Sequence, residues 1–222
     1  RDVPDAASPQ DTCVFFFAVH GALVRQRYFF LPQGFQGTAS GIEDDLKLQA
    51  LAGDVLDDAI RAIPARKRVV IYDTCHAGGV GALARTARDP FAFRGALERM
   101  SRAQGSFTIA ATAAGAEAHE VATLGHGVLT YSLLAAMGAV EGGPLADQSL
   151  PATAMPEAVQ RVAEVRDWFS YVQDKVPLLT RLYLGEEQFV GFSGNGSSFP
   201  MLPLAPCAVC AANSVPPPPD DQ

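Results

Sequence analysis

The chain has 222 residues, 48% hydrophobic and 18% charged, a length and composition that suit one α/β domain, with or without a tail, and a sizeable core. Its 17 Lys and Arg against 24 Asp and Glu give a net charge of −7. That excludes generic binding to nucleic acid or an anionic membrane surface and is compatible with a cationic peptide partner. No apolar stretch reaches the roughly 18 residues that a membrane-spanning helix needs, and residues 1–11 are too polar for a signal peptide. The first residue is Arg1 rather than Met, as expected of a processed product or an excised piece. Four cysteines (Cys13, Cys75, Cys207 and Cys210) do not make a disulfide framework, so a reducing, cytoplasmic setting is expected.

In chain order, Arg1 to Asp11 reads as loop. Thr12 to Val19 (TCVFFFAV) is a continuous apolar run, hence a buried strand, and it ends at His20-Gly21. Tyr28 to Leu31 is a hairpin arm or a sheet extension, and Pro32 to Gly41 is a glycine-rich loop. Asp54 to Ile63 has helical spacing and stops before Pro64. Val69 to Tyr72 is a second run without polar alternation, as in a parallel strand covered on both faces, and it leads into Asp73-Thr74-Cys75-His76 and then Gly78, Gly79 and Gly81. Residues 82–93 read as an exposed loop, Arg94 to Ala103 as a helix, Ser106 to Thr112 as a third strand and Gly127 to Gly138 as a helix on the sheet. Pro156 to Gln173 is expected to be an amphipathic helix, and Leu178 to Leu184 a last strand. From Gly191 the chain is rich in Gly, Ser and Pro. The expected organisation is one domain over 1–204 and a proline-rich tail or linker over 205–222.

Chemistry in an open α/β sheet gathers beyond the carboxyl ends of its strands. If the runs ending in His20-Gly21 and Asp73-Thr74-Cys75 are parallel neighbours, His20 and Cys75 reach the same sheet edge. That is the arrangement a cysteine nucleophile requires. The thiolate attacks, an imidazole helps to form it and protonates the leaving amine, and backbone N–H groups, here those of Gly21 and Cys75, hold the oxyanion. The competing reading is a buried thiol and a loop histidine that never meet. His126 repeats the His-Gly dipeptide but follows no strand, so it reads as a helix-start or loop residue, and His76 adjoins the nucleophile along the chain. His20 is the better base.

These segments together resemble the caspase-like cysteine peptidases, and more closely their metacaspase and paracaspase branches. FFFAVHGALVRQRYFFLP is similar to the family's histidine segment, with Val19 where a glycine is usual, and RVVIYDTCHAGG is similar to its cysteine segment. IAATAAGAEAHE and LGHGVLTYSLLAAM resemble the next strand and helix, including a Gly-His-Gly-x-x-Thr helix start. The resemblance spans about Asp11 to Met137. It implies a three-layer α-β-α sandwich with a mostly parallel sheet, caspase-haemoglobinase-like, and a cysteine endopeptidase activity. It also implies that a strand, a helix and another strand that open the family fold lie on another piece, such as an N-terminal fragment of the same protein. By the same resemblance Asp73 and Glu120 line the primary specificity pocket, which then takes Arg or Lys before the cut. The 82–93 loop falls where relatives are processed, with Arg85, Arg88 and Arg94 as candidate self-cleavage sites. No cofactor is expected, and calcium activation has no residue pattern behind it in this chain. The rival reading from another class is a caspase-like pseudoenzyme that keeps the fold as a protein-interaction module.

Two further motifs carry weaker signals. Cys207-Ala-Val-Cys210 lacks the second pair of ligands that a structural zinc needs. The glycines after Cys75 match neither the phosphate-loop nor the dinucleotide-binding spacing.

Overall fold

The computed structural model of the protein describes residues 3–25, 27–38, 41–73, 75–76, 95–96, 98–99, 102, 106–112, 121–150, 153–154, 161–185, 187–194 and 196–203. The strands are β1 (Thr12–Phe17), β2 (His20–Val24), β3 (Arg27–Leu31), β4 (Leu51–Ala52), β5 (Lys67–Tyr72), β6 (Cys75–His76), β7 (Phe107–Thr112), β8 (Thr153–Ala154), β9 (Arg161–Glu164), β10 (Phe189–Gly194) and β11 (Pro200–Pro203). The helices are α1 (Val3–Ala6), α2 (Ile42–Gln49), α3 (Gly53–Ala62), α4 (Val128–Ala136) and α5 (Val165–Leu184), and residues 95–96, 98–99 and 102 add helical positions where a helix was expected.

The largest sheet has the order β1-β5-β7-β10. The β1–β5 and β5–β7 pairs are parallel, and only β10 runs antiparallel. Val69, Val70, Ile71 and Tyr72 are all at most 3% exposed, as their unbroken apolar run predicts for a central parallel strand. Because successive side chains of a strand point to opposite faces, Val69 and Ile71 join Phe107 and Ile109 against α4 and α5. Val70 and Tyr72 pack with Leu56 and Ile60 of α3 and with Tyr28 and Phe30 of β3. Helices thus cover both faces of a mostly parallel sheet. Each large apolar side chain so buried contributes about 1.5–3 kcal/mol. A buried hydrogen bond from Trp168 Nε1 to the Leu133 carbonyl, 3.0 Å long, pins α5 to α4.

A second sheet, β4-β3-β2-β6, is built on the β2–β3 hairpin, so Tyr28 to Leu31 is a hairpin arm. A small antiparallel sheet, β11-β9-β8, completes the strands.

The structure corrects three expectations. The run Thr12 to Val19 is not one buried strand reaching His20. β1 stops at Phe17 and alternates in exposure, with Val14 42% and Phe16 48% exposed, because it forms an edge of its sheet among the described residues. His20 instead opens β2. Within the expected Pro156 to Gln173 helix, Arg161–Glu164 form strand β9 and the helix α5 runs from Val165, residues 156–160 lying outside the described residues. Leu178 to Leu184, expected as a strand, forms the last turns of α5, which closes on Gly185 at φ 73°. That left-handed backbone favours glycine and ends the helix. The Gly-, Ser- and Pro-rich stretch from Gly191, inside the expected domain, holds the end of β10 and all of β11. The tail 205–222 itself lies outside the described residues. Among the described residues no helix is long and apolar enough to cross a membrane.

Candidate active site

Strands β1 and β5 leave the large sheet side by side, Phe17 opposite Tyr72. The Asp73 N–H donates to the Phe17 carbonyl at 2.9 Å, which carries the ladder one step beyond β5. The two chains then pair again, in parallel, as β2 and β6, with His20 opposite Cys75 and Gly21 opposite His76. The sequence separation of partners is the same before and after the break, so one parallel register runs through both sheets. It sets the backbones of His20 and Cys75 one strand spacing apart, about 4.8 Å, beyond the carboxyl ends of β1 and β5, where α/β sheets place chemistry. Cys13, a free cysteine, pairs with Arg68 at the opposite end of the same ladder.

Gly21 has a structural reason to be glycine, since a Cβ there would overlap the ring and hydroxyl of Tyr28 on β3. The neighbouring His20 is exposed.

His20 opens onto a cavity of about 570 Å³ lined also by Val19, Asp73, His126, Thr130 and Gln188. Asp73 stands at the mouth of β5 and meets the start of α4. Gly127, the residue that caps α4, has no side chain to accept the free N–H groups of the first turn. Asp73 takes that role from a distance. Its Oδ2 accepts a hydrogen bond from Thr130 Oγ1, and the Thr130 backbone N–H also favours the charged form. Asp73 thus caps a helix that it reaches 57 positions along the chain, at Thr130. Burial is the larger influence and pushes the Asp73 carboxyl above its ordinary range, with both Thr130 hydrogen bonds pulling the other way. Among the described residues no cation is paired with Asp73. A Cβ on Gly127 would sit 3.0 Å from Asp73 Oδ2, so the helix start can approach the carboxylate this closely only as glycine.

His126 precedes α4, as expected, but it also lines the cavity and forms an isolated antiparallel bridge with Val121. Both His126, which reads from the sequence as a helix-start or loop residue, and Thr130, which the sequence does not single out, line the cavity. Their shared signal was the Gly125-His126-Gly127-x-x-Thr130 run, which was read as a helix start alone. Glu120, the second expected acid, and Arg85, Arg88 and Arg94 lie outside the described residues, as do Gly78, Gly79, Gly81, Cys207 and Cys210. Among the described residues no group of three or more His, Cys, Asp and Glu is placed to hold a metal ion.

No protein-family model matches the chain, and no curated protein matches its sequence.

Proposed function

We propose that the chain is a cysteine endopeptidase of caspase-like architecture that cuts after Arg or Lys. The observation that carries this reading is the parallel pairing of His20 with Cys75 at the carboxyl edge of the sheet. In the proposed reaction the Cys75 thiolate attacks the carbonyl carbon of the scissile bond, and the oxyanion is held by backbone N–H groups, those of Gly21 and Cys75. The His20 imidazolium gives its proton to the leaving amine, and water, deprotonated by the same imidazole, releases the acid from the thioester. Asp73, a partly buried carboxylate with no cation paired to it among the described residues, supports the basic preference, because a guanidinium or ammonium in the cavity would supply the opposite charge. Glu120 is the second acid of this reading. Regulation by self-cleavage after Arg85, Arg88 or Arg94 follows from the same specificity, as does a cytoplasmic place of action from the cysteine usage.

The test uses an arginine-bearing chloromethyl ketone and a fluorogenic arginine peptide on the full chain. Labelling at Cys75, with hydrolysis abolished in Cys75→Ala and nearly so in His20→Ala, is the expected result; the double variant should lose little more, since such residues act as a unit. Labelling at Cys13 in place of Cys75, or full activity in Cys75→Ala, would overturn the assignment. A folded protein that neither labels nor cleaves is the outcome that makes it an interaction module instead.

A further inference from the structure

At the end of the large sheet opposite the candidate active site, the start of β5 carries three consecutive cations, Arg66, Lys67 and Arg68. They line a cavity of about 330 Å³ together with Ser197, Ser198 and Phe199, from the turn between β10 and β11. The turn is held from the side of α5. Arg166 Nη2 donates to the Gly196 carbonyl at 2.9 Å, the Arg166 backbone N–H donates to Ser198 Oγ at 3.3 Å, and the Arg166 guanidinium stacks 5.1 Å above the Phe107 ring. Ser198 accepts in that bond, so its own O–H proton remains available as a donor. Arg68 is anchored by its bond to the Ile63 carbonyl at 2.7 Å.

The charge here is unusual for the molecule. The chain is net −7, yet among the described residues no carboxylate forms an ion pair with Arg66 or Lys67, whereas Arg25, Arg27, Lys47, Arg61, Arg102 and Arg181 each have one. Two adjacent cations repel one another unless an anion sits between them. The donors on offer, the Arg66 guanidinium fork, the Lys67 ammonium and serine hydroxyls, are of the kind that bind the several oxygens of a phosphate. The cavity is at the small end of ligand-site volumes, room for roughly ten waters at about 30 Å³ each. That suits a ligand with one or two phosphates.

We infer that the cavity between the start of β5 and the 196–199 turn binds a small phosphate-bearing anion. The site is independent of the proposed peptidase chemistry, being separated from it by the length of β5.

The probes are inorganic phosphate and inorganic pyrophosphate, titrated into the full chain at constant ionic strength set with chloride and followed by amide NMR shifts and calorimetry. Saturable one-to-one binding is expected, with shifts centred on residues 66–68 and 196–199. Pyrophosphate tighter than phosphate would identify a two-phosphate ligand, and equal affinities a one-phosphate ligand. The Arg66→Ser/Lys67→Ser double variant, which leaves the Arg68 anchor intact, should bind at least about tenfold more weakly, as the loss of charge-assisted bonds implies. Lys67→Gln alone should weaken binding severalfold and serves if the double variant does not fold. No saturable shift up to about 10 mM of either anion, shifts centred elsewhere, or unchanged affinity in a folded variant would overturn the inference.

Discussion

Replacing Thr130 with valine isolates the bond that ties the β5 mouth to α4. Valine keeps the branched shape, so the change removes one hydroxyl donor and little volume. The acceptor is a carboxylate, and a hydrogen bond to a charged group is worth about 1.5–3 kcal/mol. Both residues are only partly buried, which places the expected loss near the lower end, about 1.5–2 kcal/mol. In a chain of this size that lowers Tm by about 3–8 °C. Thr130→Ser, which restores the hydroxyl, should recover most of the loss. The pH dependence supplies a sharper check. Thr130 lowers the Asp73 pKa, so its bond favours the carboxylate over the acid. Its contribution is therefore largest at neutral pH and shrinks as pH falls through the raised Asp73 pKa. Urea unfolding of the wild type, Thr130→Val and Thr130→Ser between about pH 8 and about pH 4 should show the Val penalty narrowing toward acid. A penalty that is constant with pH, or a Thr130→Ser variant no better than Thr130→Val, would refute the reasoning.

Other expectations follow from the same geometry. Because burial raises the folded-state Asp73 pKa above its ordinary value of 3.8, the protonated acid suits the fold better, and the stability this provides is present at low pH and lost as pH rises through that pKa. Asp73→Asn should thus gain stability relative to wild type as pH rises, while losing hydrolysis of arginine peptides if the proposed pocket is correct; denaturant titration and kinetics read the two separately. Gly127→Ala, whose φ of −59° suits any residue, acts through the 3.0 Å approach to Asp73 alone and should cost about 1–3 kcal/mol by calorimetry. Gly21→Ala should cost more and lower soluble yield, since the new Cβ overlaps the Tyr28 ring.

The strands and helices with an unambiguous period were legible in the sequence. β5, β7, α3 and α4 lie close to where the apolar pattern set them, because those side chains are buried on the faces the pattern implies. Composition misled where apolar residues are exposed. Val14 and Phe16 on an edge strand read as core, and Leu178 and Leu182, 58% and 69% exposed, made the end of α5 look like a strand behind Pro177. Tertiary packing of Val172, Val176 and Leu179 outweighs the missing N–H of that proline. β2 was hidden because Gly21 and Ala22 carry little strand propensity; pairing with β3 makes it a strand. At the site, the parallel runs point to a backbone register that sets His20 opposite Cys75, but a second strand pair, β2–β6, and not the end of β1 carries it. The Asp73–Thr130 bond was not legible, because it joins distant segments and neither residue announces the other.

The uninterrupted register between β1–β5 and β2–β6 makes the two connecting links a matched pair of spacers. Residues 18–19 separate Phe17 from His20, and residues 73–74 separate Tyr72 from Cys75. A strand displaced by a single residue turns its side chains to the opposite face. Removing one residue from either spacer would therefore change which residue stands opposite Cys75 while leaving the core of the large sheet intact. Removing one from each would restore the pairing. The matched length of these links, together with the Asp73 side chain that one of them carries, is what variants of this chain must preserve.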